Sequence, residues 1–132
     1  KAFDIPETYK LKRFVINSGN TITATATVRL ETAEFPKEAV ATGDGPIDAA
    51  FKAIDEIVGI EFRLDAFTIN ALSEGKDAQG EVIVKISKNG HLYTGRGLST
   101  DIIEASVKAY LNAINKMLDE LRFQKGIDAD DQ

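Results

Sequence analysis

The sequence contains no cysteine and no tryptophan, and only one histidine and one methionine. Without thiols the chain has no disulfide, no thiolate nucleophile and no cysteine-type zinc site. His91 is the only histidine, and no serine or second histidine forms a recognisable triad or metal pattern with it. His91 follows an Asn-Gly turn signal, so the end of a surface strand is its expected setting. The carboxylates are scattered without diagnostic spacing, and the chain is therefore read as non-catalytic and without a cofactor of its own. No run approaches the roughly 18 apolar residues of a membrane span, and the N-terminus lacks the pattern of a signal peptide. Acidic residues outnumber basic ones by 21 to 16, which argues against nucleic acid as a partner. Lys10, Lys12 and Arg13 form the only basic cluster and read as a solvated strand face. A chain with no membrane partner and no cysteine fits a cytoplasmic setting.

What is present is enough apolar sequence for one compact domain over 1–132, since 43% of 132 residues are hydrophobic. The chain opens at Lys1 rather than Met, which is expected of a processed product or a piece of something longer. From 21 to 31 the sequence alternates strictly, with Ile22, Ala24, Ala26, Val28 and Leu30 on one side and Thr, Arg and Glu on the other. That period of two predicts a half-buried antiparallel strand. Strands are also expected over 9–16 and 37–42, the first joined to 21–31 through Asn17-Ser18-Gly19-Asn20. Ile47, Ala50, Phe51, Ile54, Ile57 and Val58 then recur at spacings of three and four before Gly59, which predicts a helix and its stop.

The second half repeats this order. Strands are expected over 62–72, 81–87 and 91–95, with Asn89-Gly90 as the hairpin signal between the last two. A helix follows, with Ile103, Val107, Tyr110, Leu111, Ile114, Met117, Leu118 and Leu121 as its apolar stripe. Tyr9-Lys10-Leu11 and Phe14-Val15-Ile16-Asn17 match Phe62-Arg63-Leu64 and Phe67-Thr68-Ile69-Asn70, and positions 9 and 62 differ by 53. Asp48-Ala49-Ala50-Phe51-Lys52-Ala53 matches Glu104-Ala105-Ser106-Val107-Lys108-Ala109, and positions 48 and 104 differ by 56. The extra three residues are assigned to the 73–80 loop. The expected fold class is thus α+β, two pseudo-symmetric βββα units with helices packed on antiparallel sheets. The units span 8–59 and 60–123, and a polar tail occupies 124–132.

The two helix starts carry the chemistry. At the first, Gly43 and Gly45 precede Pro46, which suits the first helical position, and Asp48 lies in the first turn. At the second, Gly97-Leu98-Ser99-Thr100 leads to Asp101 as cap, with Glu104 three residues on as in a capping box. Free backbone N–H groups at such ends suit a small carboxylate, and Asp44, Asp48 or Asp101 suits an ammonium group. Taken singly, each segment also reads as a well-made cap. Two equivalent segments in a duplicated fold can converge at one interface, where a zwitterion finds both donors and acceptors. The 73–80 segment reads either as a mobile flap over that site or as an exposed loop.

Three ordered segments, 41–50, 74–82 and 95–106, together resemble the C-terminal regulatory domain of the alpha-isopropylmalate synthases. The citramalate synthases carry a related domain. The resemblance covers about 9–118. It implies a feedback sensor that forms a homodimer and binds L-leucine at the interface, lowering acetyl-CoA condensation in a separate TIM-barrel catalytic domain that holds a divalent metal. A citramalate synthase parent implies isoleucine instead, and a purely structural dimerisation domain is the plainer alternative. By position, the resemblance assigns Gly43, Gly45, Pro46, Ile47 and Asp48 to the ligand site from the first helix start. It assigns Leu64, Phe67 and Ala71 to an apolar wall for the isobutyl group. Ala78 and Gly80 are assigned from the flap, and Leu98, Ser99, Thr100 and Asp101 from the second helix start. Asp44 varies within the family, so backbone contacts through Gly43 and Gly45 are expected rather than a contact from its carboxylate.

Overall fold

A computed structural model describes residues 5–71 and 78–130, with the backbone alone over 127–130. Eight elements follow in the order β1 (Lys10–Asn17), β2 (Ala24–Glu31), β3 (Lys37–Gly43), α1 (Pro46–Val58), β4 (Arg63–Ala71), β5 (Gly80–Lys88), β6 (His91–Ser99) and α2 (Ile102–Asp130). They form two antiparallel three-stranded sheets, β1-β2-β3 and β4-β5-β6, each followed by its helix. The α+β class and the βββα duplication expected from the sequence are what the structure shows.

The register locates the duplication residue by residue. Phe14 pairs with Val28 and Phe67 with Val84, so the offset is 53 in the first strand of each unit and 56 in the second. Seven residues separate the paired Asn17 and Thr25, and ten separate the paired Asn70 and Glu81, so the extra three lie in the β4–β5 connection. A bulge repeats as well, between Leu11 and Arg13 in β1 and between Leu64 and Ala66 in β4. In β2 the alternation holds from Ala24 through Ala26, Val28 and Leu30, all buried. Ile22 departs from the expected row: it precedes the strand and is 55% exposed, since the sheet ends before it and α1 offers it no cover.

Both helices obey their end signals. Pro46 opens α1, and Gly59 closes it at φ 66, donating its N–H to the Asp55 carbonyl at 2.9 Å. Asn89 and Gly90 take φ 53 and 80, as a type I′ hairpin turn requires, and set Lys88 opposite His91. His91 is exposed at the start of β6, with its Nδ1 3.5 Å from Glu120. The strand of His91 extends to Ser99 rather than ending at Gly95, because Gly95 and Gly97 are paired strand residues. The second helix runs on to Asp130, into the segment read as a polar tail.

Those two glycines explain how α2 sits. A Cβ on Gly95 would stand 2.0 Å from the Ala109 carbonyl oxygen, and one on Gly97 would stand 2.1 Å from that of Ala105. The helix therefore lies directly on the β6 backbone, with Ala105, Ala109 and Ala113 turned to the strand. No side chain separates the two. Val82, Val84, Ile86, Val107, Ile114 and Met117 fill the adjoining core. Among the described residues no helix is long and apolar enough to cross a membrane.

Gly95→Ala should therefore force the helix off the strand and cost about 1–3 kcal/mol or more. Urea unfolding would read this as a lower midpoint at unchanged slope; an unaltered midpoint would contradict the close contact.

Candidate functional site

The two helix starts are built alike and finished differently. At α1, the N-cap Gly45 has extended backbone, φ −164 and ψ 178, and no side chain caps the helix. Its carbonyl accepts the Ala49 N–H at 2.9 Å. A Cβ at Gly45 would meet nothing within 4 Å, so the space in front of the first turn is open. Gly43 is the opposite case. A Cβ there would stand 2.4 Å from the Ala49 nitrogen and 2.7 Å from Asp48 Oδ2, so this glycine lets the end of β3 press against the first turn of α1. Asp48 is already engaged: its Oδ2 accepts the Asp44 N–H at 2.8 Å and lies 3.1 Å from Lys52 Nζ. The Asp44 N–H, with Lys52 next, holds this carboxyl below the usual carboxylate range.

At α2 the same kind of start is satisfied from within. Asp101 Oδ1 accepts the Ile103 N–H at 2.9 Å, as expected of a cap. Glu104 does not reach back to the Asp101 N–H as a capping box requires. Ser99 Oγ accepts that N–H at 3.0 Å and donates to Glu104 Oε1 at 2.5 Å. Ser99 is buried between the two, whereas Thr100 is exposed. Among the described residues, no hydrogen bond, ion pair or ring contact joins one helix start to the other.

The remaining candidate residues lie on the second sheet. Leu64, Phe67 and Ile69 pair with Ile86, Val84 and Val82, whose side chains are buried under α2, so all six share the inner face. The second helix lies over β5 and β6 and stops short of β4. Leu64, Phe67 and Ile69 are thereby left 46%, 36% and 50% exposed, as an apolar strip on the rim. Leu98 points the other way, on the outer face opposite Glu81. Ala71, Gly80 and Ser99 form one row across the sheet, and Ile102 Cδ1 would lie 3.2 Å from a Cβ on Gly80. Gly80 was expected on a flap and is instead the first residue of β5, held by pairing on both sides. Ala78 lies just before that strand, half-buried, and 72–77 fall outside the described residues.

One aromatic side chain that the sequence places only on the apolar face of its helix ties the β4 strip to the second helix. Phe51 of α1 meets Phe67 edge-on at 6.1 Å and stacks on Tyr110 of α2 at 3.9 Å, nearly parallel. Tyr110 in turn donates its hydroxyl to Asp55 Oδ1 at 2.5 Å. No sequence signal pairs residues 55 positions apart; only the packing of α1 on α2 does. Burial, and then the Asp55 carboxylate, push the Tyr110 hydroxyl well above the usual phenol range. Burial of its carboxyl raises Asp55 as well, with the Tyr110 bond opposing, although the rest of that residue is exposed. A cleft of about 780 Å³ lies elsewhere, between β1 and β6 over α2. Among the described residues no group of three or more His, Cys, Asp or Glu side chains is placed to hold a metal.

Two βββα units, one with an uncapped helix start and the other with an uncovered apolar strip, define a duplicated α+β domain. The chain belongs to the LeuA allosteric (dimerisation) domain family, whose model matches residues 2–118. It is 51% identical over 117 residues to the 2-isopropylmalate synthase of Ruminiclostridium cellulolyticum, covering 89% of this chain and 23% of that protein. It is 54% identical over 115 residues to the one from Carboxydothermus hydrogenoformans, covering 86% and 23%. The chain spans less than a quarter of the length of these relatives.

The Asp55–Tyr110 pair gives an asymmetric expectation. Asp55→Ala should cost about 1–3 kcal/mol, because it leaves a buried hydroxyl without an acceptor. Tyr110→Phe should cost less, since Asp55 keeps contact with water. A folded-state pKa raised above the ordinary carboxyl value of 3.8 means that this carboxyl contributes stability below that pH and loses it as pH rises through the folded value. Asp55→Asn should accordingly flatten that part of the melting profile while keeping an acceptor for Tyr110. Equal losses in Asp55→Ala and Tyr110→Phe would count against this account.

Proposed function

We propose that this chain is the feedback-sensing domain of a 2-isopropylmalate synthase, which binds L-leucine where two copies meet and thereby restrains condensation in a separate catalytic domain. The observation that carries the reading is the contrast between the helix starts: α2 is closed by its own side chains, whereas α1 has no side-chain cap and open space at Gly45. Backbone N–H groups in the first turn of a helix attract a carboxylate, through both their hydrogen-bonding capacity and the helix dipole. The exposed strip of Leu64 and Phe67 offers the apolar surface that a γ-branched side chain needs, and on one copy that strip is unfinished. Membership of a family described as allosteric and dimerising, with relatives named as 2-isopropylmalate synthases, supports a homodimer with a regulatory role, and leucine is the ligand that the resemblance of the helix-start segments implies. In this reading Gly43, Ser99 and Gly80 shape the site rather than touch the ligand, because their backbone or hydroxyl is already committed. The divalent metal of the condensation belongs to the catalytic domain of the parent chain, in a cytoplasmic enzyme.

Leucine at 100 times its dissociation constant should stabilise the fold by about 2.7 kcal/mol in a thermal-shift series. Calorimetry should rank leucine above valine by about 1–3 kcal/mol, the worth of a methylene in an apolar pocket. A preference for isoleucine would move the parent to the citramalate synthases, and no response to any amino acid would leave a structural dimerisation domain.

Gly45→Asp should abolish leucine binding in a protein that still folds. The added side chain has room within the chain, and aspartate is a good N-cap residue. It would nevertheless place a negative charge where the ligand carboxylate is to sit. Unchanged leucine affinity in this variant would show that the α1 start is not the site.

A further inference from the structure

The cleft between β1 and β6 departs in charge from the rest of the chain. The whole sequence carries a net charge of −5, yet this cleft is lined by Lys10, Arg96, Lys108 and Lys116 against the single carboxylate of Glu7. Its volume of about 780 Å³ is that of a small-molecule site, and Leu11 and Leu111 add apolar surface. A recess lined by one sign of charge concentrates the field of its groups and draws in ions of the other sign.

The four cations are poorly neutralised by their own chain. Among the described residues Lys10 and Lys116 have no ion pair, although Lys116 donates to the Thr94 carbonyl at 2.6 Å. The pairs made by the other two are long, Arg96 to Glu81 at 3.4 Å and Lys108 to Glu104 at 3.8 Å, and both cations are exposed. Such pairs hold their partners weakly. The duplication shows that this lining is not inherited from the architecture. At the offset of 56, Arg96, Lys108, Leu111 and Asn112 correspond to Val40, Lys52, Asp55 and Glu56, which line a depression of about 550 Å³ beside α1. Those four positions carry two carboxylates and one cation. A hollow beside each helix follows from the fold, and the basic lining belongs to the α2 side alone.

Spacing and backbone bonding define the kind of anion. Lys108, Asn112 and Lys116 follow at four-residue steps along one face of α2, so the two lysines stand about 12 Å apart along the axis. Asn112, midway, accepts the Arg96 N–H at 3.0 Å and so sets Arg96 beside the centre of the row. A lone phosphate or carboxylate meets one or two of these groups, whereas an anion with several charges along its length can meet them all. A protein strand fits poorly, because the backbone groups that it would need are taken. Asn115, 3% exposed, accepts the Tyr9 N–H at 3.0 Å and donates to the Tyr9 carbonyl at 2.9 Å on the β1 edge, while Asn112 and Lys116 occupy the β6 edge. Side-chain charge is what the cleft leaves available.

We propose that this cleft binds a small, multiply charged anion of the polyphosphate or tricarboxylate kind, held by Arg96, Lys108, Lys116 and Lys10. The planar guanidinium of Arg96 suits the paired oxygens of either group. None of the lining residues belongs to the leucine site proposed above, so the two readings stand or fall separately.

Calorimetric titration of the 132-residue chain at low, constant ionic strength tests the site, with inorganic tripolyphosphate, citrate and orthophosphate as probes. Tripolyphosphate should bind at one site per chain, about tenfold or more tightly than orthophosphate, and its affinity should fall as salt is raised. Arg96→Gln and Lys108→Gln, both on exposed side chains and checked for folding by circular dichroism, should each raise its Kd by about three- to tenfold. Lys85→Gln, an equal loss of charge on an exposed strand residue outside the cleft, should leave it unchanged. Citrate as the tighter ligand, with the same dependence on Arg96 and Lys108, would assign the site to carboxylates, and the reverse order to phosphates. Failure of both polyanions to bind, orthophosphate binding as tightly as tripolyphosphate, or affinities indifferent to Arg96→Gln and Lys108→Gln would overturn the proposal. So would capture of polyglutamate in place of the small anions, which would make the face a surface for an acidic protein.

Discussion

The contact between the α2 backbone and the β6 backbone is the constraint from which most of the architecture follows. Gly95 and Gly97 remove the side chains that would hold the helix away, and Ala105, Ala109 and Ala113 keep the helix side equally thin. At that distance Asn112 and Lys116 reach the β6 edge, and Asn115 reaches across to Tyr9. The first unit holds alanine, Ala39 and Ala41, at the positions of the two glycines, so its helix rests on methyl groups. Long-range fixation of β1 thus depends on two missing side chains in β6.

The second consequence concerns how the halves are joined. The helices cross at one aromatic stack, Phe51 on Tyr110, extended by Phe67 on one side and Asp55 on the other. A buried phenol needs an acceptor, and Asp55 supplies it from a residue that is exposed as a whole, so its carboxylate is only partly desolvated. Phe51, itself part of α1, thus touches both the apolar strip of β4 and the second helix.

Duplication supplied two equivalent helix starts and two equivalent flanks, and the later differences separate their roles. The α2 copy is finished on itself: Ser99, Asp101 and Glu104 close its start, and Asn112, Asn115 and Lys116 close its flank. In the α1 copy Gly45 stands where Asp101 would be, Gly59 and Ile60 stand where Asn115 and Lys116 would be, and neither place is closed.

The sequence by itself determined the elements and their order. A period of two from Ala24 to Leu30, a spacing of three and four from Ile47 to Val58, Pro46 and Gly59 at the helix ends, and Asn89-Gly90 at the hairpin are local signals, and local backbone preference is what they report. The offsets of 53 and 56 even placed the extra residues in the correct connection. The family was legible in three short segments, two of which are the helix starts, where the chemistry of the residues is narrow. Other features had no local signature. Leu64 and Phe67 look like core by alternation and are rim, because the width of a helix decides how many strands it covers. The packing of Gly43 against Ala49 and the bond from Ser99 to Glu104 have no local signature either, because they depend on where β3 and β6 meet the helix starts. Tyr110 found Asp55, and Asn115 found Tyr9, across distances in sequence that only the packing of one unit on the other could close.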